Sequence, residues 1–262
     1  MPNSRLRIAV AGASGRMGRA ILQAIAESSD LQLTAAIVSV RNAASNSGAG
    51  WCGVQATSDA AAALGEADVV VDFSRPAASA MLAELAASLH VAGVIGTTGF
   101  SADEERRIEA AARQTAIVKS GNMSLGVTLL ASLVQQAARA LPDFDIEIVE
   151  MHHRMKADAP SGTALLLGKA AAEGRQVALD DVRAGVRQGH TAPRAEGSIG
   201  FASLRGGTVV GEHAVIFAGP HERVVLSHAA EDRSIFARGA LTAARWIQGK
   251  PAGLYSMRDV LG

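Results

Sequence analysis

Along the first half of the chain, short apolar runs alternate with longer segments of helical period. Leu6–Ala11 predicts a buried strand and Arg16–Ser28 a helix. Leu31–Val38 predicts a second strand, and the Asn-, Ser-, Ala- and Gly-rich stretch Arg41–Gly50 a mobile loop. Ser58 is expected to cap a short helix to Leu64. Asp68–Phe73 is an apolar run suited to a strand covered on both faces. Ser74 as N-cap and Pro76 in the first turn then open a helix to about Leu89. Val91–Ile95 predicts a strand. Ser101–Glu104 matches a capping box before a helix to Gln114, and Ile117–Val118 a short strand. Five such alternations predict an α/β fold, a Rossmann-type parallel sheet with helices on both faces.

The pattern changes after residue 123. Ser124–Ala140 predicts a long apolar helix. Asp143–Met151 sets Phe144, Ile146 and Ile148 against Asp145 and Glu147, the period of a half-buried strand. A helix is expected over about Thr163–Glu173, and irregular chain over 180–198. Ile199–Leu204, Gly207–Phe217 and Glu222–His228 predict strands, the last two joined by a turn at Ala218–His221. This half predicts a smaller α+β domain with a mixed or antiparallel sheet, one face of it open. A partner subunit is the usual cover for such a face. Ser234–Gln248 predicts a last helix that returns to the first domain. The expected organisation is a dinucleotide-binding domain over 1–123, joined by 233–262, and a substrate-binding and oligomerisation domain over 124–232.

Composition narrows the function classes. Across 262 residues the formal net charge is zero and aromatics are 3%, which disfavours a nucleic-acid surface. No run approaches the ~20 apolar residues of a membrane helix, and Met1–Ala11 lacks the apolar length of a signal peptide. The lone Cys52 permits no internal disulfide. A cytoplasmic protein is expected.

Gly12-Ala13-Ser14-Gly15-Arg16-Met17-Gly18 sits between the first strand and first helix. Gly12 lets the chain turn, Gly15 lets it approach a pyrophosphate, and Gly18 lets the helix pack on the sheet. The helix N-terminus then faces the phosphates. No acid ends the second strand to bind a ribose hydroxyl. Ser39 and Arg41 there suit a 2′-phosphate, which leans the coenzyme to NADPH over NADH, unless Arg41 is a solvated loop charge. Gly96-Thr97-Thr98-Gly99 and Ser120-Gly121-Asn122-Met123 follow the fourth and fifth strands, where hydroxyls and amides can face the nicotinamide end.

Glu150 to Ala164 is the densest polar run. His152, His153, Arg154 and Lys156 precede a small-residue helix start at Ser161, Gly162 and Thr163, an anion site by the same dipole argument. His152 or Lys156 can move a proton. Three other readings stand beside this one: surface histidines, metal ligands without an evident completing partner, and an ion-pair patch with Glu150 and Asp158. His190, His213, His221 and His228 lack such neighbours in sequence and are expected to be structural.

Taken with Val71–Pro76, Gly96–Phe100, Asn122–Val127 and Phe236–Ala240, these motifs resemble the 4-hydroxy-tetrahydrodipicolinate reductase (dihydrodipicolinate reductase) family over essentially the whole chain. The resemblance implies NAD(P)H-dependent reduction of a cyclic dicarboxylate, with loss of water, in lysine biosynthesis through diaminopimelate. It implies that Gly12, Ala13, Ser14, Gly15, Arg16 and Met17 cradle the pyrophosphate. Gly96, Thr97, Thr98, Ser120, Gly121, Asn122 and Met123 would line the nicotinamide side. His152 would be proton donor or acceptor and Lys156 the proton donor, while His153, Gly162 and Thr163 bind substrate carboxylates. No metal is implied. A homotetramer assembled through the second domain's sheet is implied. Family members often carry an acid followed by arginine where this chain has Val38 and Ser39. A non-catalytic dinucleotide sensor and a metal-dependent hydrolase using His152 and His153 are the alternatives from other classes.

Overall fold

The computed structural model describes residues 5–45, 53–185, 187, 189–190 and 192–262. Cys52 and the 46–50 part of the expected loop lie outside them. The first strands and helices are β1 (Leu6–Ala11), α1 (Arg16–Ala26), β2 (Leu31–Ile37), α2 (Val40–Ser45), β3 (Ala56–Thr57), α3 (Ala60–Gly65), β4 (Val69–Asp72), α4 (Pro76–Ser88), β5 (Ala92–Ile95), α5 (Ala102–Ala112) and β6 (Ala116–Lys119). They are followed by α6 (Leu125–Ala140), β7 (Asp145–His152), α7 (Gly162–Gly174), α8 (Leu179–Val182), β8 (Ile199–Arg205), β9 (Gly211–Gly219) and β10 (Glu222–Ala230). The chain ends with α9 (Ser234–Trp246), β11 (Gly253–Tyr255) and α10 (Met257–Leu261). It divides into two compact units, Met1–Leu125 with Ser234–Gly262, and Gly126–Arg233.

The first unit holds a seven-stranded sheet in the order β11-β6-β5-β4-β1-β2-β3, parallel at every pairing. Strand order reverses between β1 and β4. The crevice at the carboxyl ends of those two strands is the switch point where open α/β sheets take ligands. Alternate residues of β1 and β4 bury in opposite layers: Ile8, Val10 and Val71 join the cluster with α1 and α9, while Ala9, Ala11 and Val70 join the one with α3 and α4.

The second unit holds a four-stranded mixed sheet, β10-β9-β7-β8, with β7 and β8 parallel and the other pairs antiparallel. Ile146, Ile148, Ile199, Val215 and Phe217 pack beneath α6 and α7. The register puts Val149, Met151, Leu204, Ile216 and Val225 on the opposite face, where Leu204 is 50% and Val225 54% exposed. Among the described residues no helix is long and apolar enough to cross a membrane.

Local expectations were corrected at several points. Residues 41–45 of the expected loop are helical, within α2: Ser39 Oγ accepts from Asn42 N at 3.3 Å, a side-chain bond at the start of the turn. Asp59, not Ser58, caps α3 by accepting from Ala62 N. Arg75, not Ser74, is the N-cap of α4, because Asp72 Oδ1 holds the Ser74 N–H at 2.9 Å and keeps that residue in the preceding turn. Leu179–Val182 forms a short helix inside a region expected to begin irregular chain. β9 starts four residues late, after Gly207 at φ +51° and its loop. β9 and β10 pair as far as Gly219 and Glu222, so their turn is only Pro220 and His221. The short β3, β11 and α10 carry no periodicity to reveal them.

Candidate active site

The glycine loop of the first unit is built from backbone contacts. Gly12 sits at φ +74°, and a Cβ on it would lie 2.4 Å from the Phe73 carbonyl oxygen at the end of β4. The N–H groups of Gly12 and Ala13 both donate to the Ile37 carbonyl, and Gly15 N–H to the Gly12 carbonyl. A Cβ on Gly18 would lie 2.2 Å from that same Gly12 oxygen. Gly18 thus makes room for the loop's own backbone rather than for the sheet. Gly15 caps α1 without a side-chain bond. The first-turn amides of Arg16 and Met17 therefore have no acceptor within the helix, and they point where an anion would sit. Ser14 Oγ accepts from Asn42 Nδ2 at 3.0 Å, which ties the loop to α2. Ser39 and Arg41 are exposed at the carboxyl end of β2. The fit to a dinucleotide pyrophosphate rests on this loop, whose course a Cβ at 12 or 18 would disrupt by striking the Phe73 or Gly12 carbonyl.

The two further loops differ from expectation in their hydroxyls. Thr97 is buried and accepts from Ser79 Oγ at 2.8 Å, and Ser120 Oγ donates to the Asn122 carbonyl at 2.7 Å. Both hydroxyls are engaged within the protein. Asn122 Oδ1 accepts from Ser124 N, and the Met123 side chain lies in the core. Gly96 leaves room for the Phe73 ring, which a Cβ would meet at 2.3 Å. Thr98, Gly99 and Gly121 are the exposed residues of these two loops.

In the second unit, β7 alternates strictly, and its buried face runs Ile146, Ile148, Glu150, His152. The last two replace core residues with chemistry. Glu150, 1% exposed, takes a forked bond from Arg205, Nη1 to Oε2 at 2.8 Å and Nη2 to Oε1 at 2.9 Å. Ser161 N–H donates to Oε1 at 3.2 Å, and His152 Nδ1 lies 2.5 Å from Oε2. Burial pushes the Glu150 carboxyl up, but Arg205, Ser203 and His152 outweigh it and hold it at about 2. Arg205 also donates to the Lys156 and Asp158 carbonyls, at 3.2 and 2.6 Å, fixing the loop after β7. In that loop Lys156 Nζ binds Asp158 Oδ1 at 2.9 Å. Ser161 caps α7, accepting from Ala164 N, and bonds His213 Nε2 at 2.9 Å. The first-turn amides of Gly162 and Thr163 are thereby placed on the same hub as His152 and Lys156. His153 accepts from Arg233 Nη2 at 3.3 Å beside a cavity of about 490 Å³ that Thr208 also lines.

The expected Glu150–Asp158 patch resolves into Glu150 with Arg205 and His152, and Asp158 with Lys156. Sequence reasoning missed Arg205, Ser203 and the part played by His213. His213 pairs directly opposite Glu150 and lies edge-on to His152 with ring centroids 5.0 Å apart. Burial first, then His152, lowers it to about 4. The period of β7, continued past Ile148, was the available signal: it places Glu150 and His152 side by side on the core face. Among the described residues no cluster of three or more His, Cys, Asp or Glu is placed to hold a metal ion.

Residues 6–123 match the N-terminus of dihydrodipicolinate reductase, and residues 126–261 match its C-terminus. The chain is 57% identical to 4-hydroxy-tetrahydrodipicolinate reductase of Parvibaculum lavamentivorans, covering 98% of each chain. It is 56% identical to the enzyme of Beijerinckia indica, over 99% of this chain and 98% of that one. Its fold is similar to that of dipicolinate-bound dihydrodipicolinate reductase from Paenisporosarcina sp. TG-14, with a TM-score of 0.79 and 24% identity over 96% of this chain and 97% of that one. The chain belongs to the dihydrodipicolinate reductase family.

Proposed function

We propose that this chain reduces 4-hydroxy-tetrahydrodipicolinate to tetrahydrodipicolinate with NAD(P)H, in lysine biosynthesis. The observation that carries the reading is the hub of Glu150 and Arg205, which joins two proton-bearing side chains, His152 and Lys156, to the anion-binding start of α7. A dicarboxylate needs such a helix N-terminus and cations. Expelling its hydroxyl as water puts a proton on that oxygen and takes one from the neighbouring ring carbon, and reducing the carbon–carbon double bond so formed takes a hydride and a proton.

The assignments follow from the residues. Gly12 through Met17 hold the pyrophosphate, Ser39 and Arg41 the adenosine ribose, and the loops at Gly96–Thr98 and Ser120–Met123 the nicotinamide side. The bound cofactor supplies the hydride. Gly162, Thr163 and His153 bind the carboxylates, Lys156 donates a proton, and His152 donates or accepts one. Residues 1–123 with 233–262 form the dinucleotide domain, and 124–232 the substrate and oligomerisation domain. The exposed sheet face with Leu204 and Val225 supports assembly into a homotetramer, and a biosynthetic reductase of this kind is placed in the cytoplasm.

The test is coenzyme oxidation by the purified protein, with substrate generated in situ from pyruvate and aspartate semialdehyde by the preceding synthase. Oxidation that depends on the synthase, faster with NADPH than with NADH, is expected. A folded protein that binds either coenzyme and oxidises neither overturns the reading. In the same assay Thr163→Val is expected to raise KM about tenfold or more with kcat little changed, since a hydroxyl donor to a charged carboxylate is lost. An unchanged KM places the carboxylate elsewhere.

A further inference from the structure

A histidine that moves protons must present a defined ring nitrogen, yet a free neutral imidazole exchanges between two tautomers. His152 Nδ1 lies 2.5 Å from Glu150 Oε2. An ionised carboxylate only accepts, so this bond requires the proton on Nδ1 and leaves the lone pair of the neutral ring on Nε2. Nε2 faces Gly211 of β9, where a Cβ would approach it to 2.9 Å, so the glycine keeps that nitrogen uncrowded.

A lone carboxylate at this distance would also favour the charged imidazolium. Here Arg205 forks both oxygens of Glu150, and the Ser161 N–H takes a further lone pair. The groups facing His152 are Glu150 from its own strand, Arg205 from β8, His213 from β9, and Lys156 from the following loop, its ammonium on Asp158. The single anion in direct contact is therefore matched by a guanidinium. Burial, Lys156 and Arg205 hold the imidazole below its ordinary value against the pull of Glu150.

We propose that Glu150 and Arg205 are a positioning pair for the reduction: Glu150 fixes His152 as the Nδ1–H tautomer with Nε2 as its working atom, and Arg205 offsets the carboxylate so that the ring stays neutral. Nε2 of His152 then takes the ring-carbon proton lost with the hydroxyl and returns it to the ring on reduction, while Lys156 donates the proton that leaves as water. Arg205 also binds the Lys156 and Asp158 carbonyls, so one guanidinium sets the places of both groups. The inference deepens the proposed reductase reading, since it needs His152 at the reacting centre.

The experiment is nitrogen-15 NMR of the histidine-labelled full-length protein across pH 5–9, beside the pH profile of kcat/KM. The wild-type His152 ring is expected to show a protonated Nδ1 and an unprotonated Nε2 at neutral pH. Arg205→Met is expected to raise the His152 midpoint and the acid limb of kcat/KM by about one pH unit, and Glu150→Gln to lower both and mix the tautomers. Each should lower kcat about tenfold or more with little change in KM, and Arg205→Lys should restore part of it. Opposite shifts distinguish charge matching from a common loss of packing. An Nε2–H tautomer in the wild type, or His152 titrating alike in wild type and Arg205→Met, overturns the proposal. Both readouts stand even where Glu150→Gln fails to fold. A correct tautomer in a protein without reductase activity would instead sink the reaction assignment, so the two failures are distinguishable.

Discussion

Lys156→Ala is expected to lower kcat by about 10²–10⁴-fold, the loss of a general acid, while leaving NADPH affinity near the wild-type value. The two effects separate because the side chain belongs to the second unit and the pyrophosphate loop to the first. The loop that carries Lys156 should survive the substitution. Arg205 holds it through the backbone carbonyls of residues 156 and 158, and Lys156 N–H donates to the His153 carbonyl, none of which alanine removes. What is lost is the ammonium on Asp158, one of the cations that lower His152. His152 should therefore titrate somewhat higher in the variant, while Asp158, which Lys156 holds below the usual carboxylate range, should rise. Lys156→Arg separates charge from proton donation. It keeps the cation, but a guanidinium does not give up a proton near neutrality, so turnover should remain low. Coenzyme titration by fluorescence and the synthase-coupled assay read the two quantities. Turnover near the wild-type level in Lys156→Ala would remove this residue from the chemistry.

What was legible in the chain depended on how far apart the partners lie. Gly12, Gly15 and Gly18 lie within seven positions, and the crowding of Gly18 against the Gly12 carbonyl follows from that local spacing, whereas the crowding of Gly12 against Phe73 does not. His152, Lys156, Gly162 and Thr163 are likewise one continuous run, so their candidacy could be read directly. The hub that organises them could not. Arg205 reaches Glu150 from 55 positions away, and His213 reaches Ser161 from 52, through strand pairings that local periodicity does not encode. Side-chain direction was hidden for the same reason. Thr97 and Ser120 look alike as candidate donors, but Ser79 on α4 and the Asn122 carbonyl decide where each hydroxyl goes. Cap positions failed at closer range, where Ser58 and Asp59 are adjacent capping types and only backbone geometry chooses between them.

Gly239→Ala is expected to destabilise the first unit, although alanine is the better helix former. In an open helix the change would stabilise by about 0.8–1 kcal/mol. Here a Cβ on Gly239 would stand 1.7 Å from the Met123 carbonyl oxygen and 2.9 Å from its carbon. Both obstacles are backbone. Met123 is buried in the core, and the next residue is held by Asn122 Oδ1 at 2.8 Å, so the oxygen cannot simply swing aside. Relief requires α9 to withdraw from a core it fills with Ala237, Ala240, Leu241 and Ala244. Overpacking of this kind costs about 1–3 kcal/mol or more, enough to reverse the propensity gain. With a cost at the upper end of that range the net loss is about 2 kcal/mol, and at about 2–4 °C per kcal/mol Tm should fall by about 4–8 °C. Gly65→Ala is the matched control: it closes α3 with nothing within 4 Å of its added carbon, and its Tm should hold or rise. Because Met123 ends the loop assigned to the nicotinamide side, Gly239→Ala should also weaken NADPH binding, while Gly65→Ala should not. A Tm for Gly239→Ala at or above the wild type would mean that α9 does not press on Met123, and that the loop is held by its own hydrogen bonds alone.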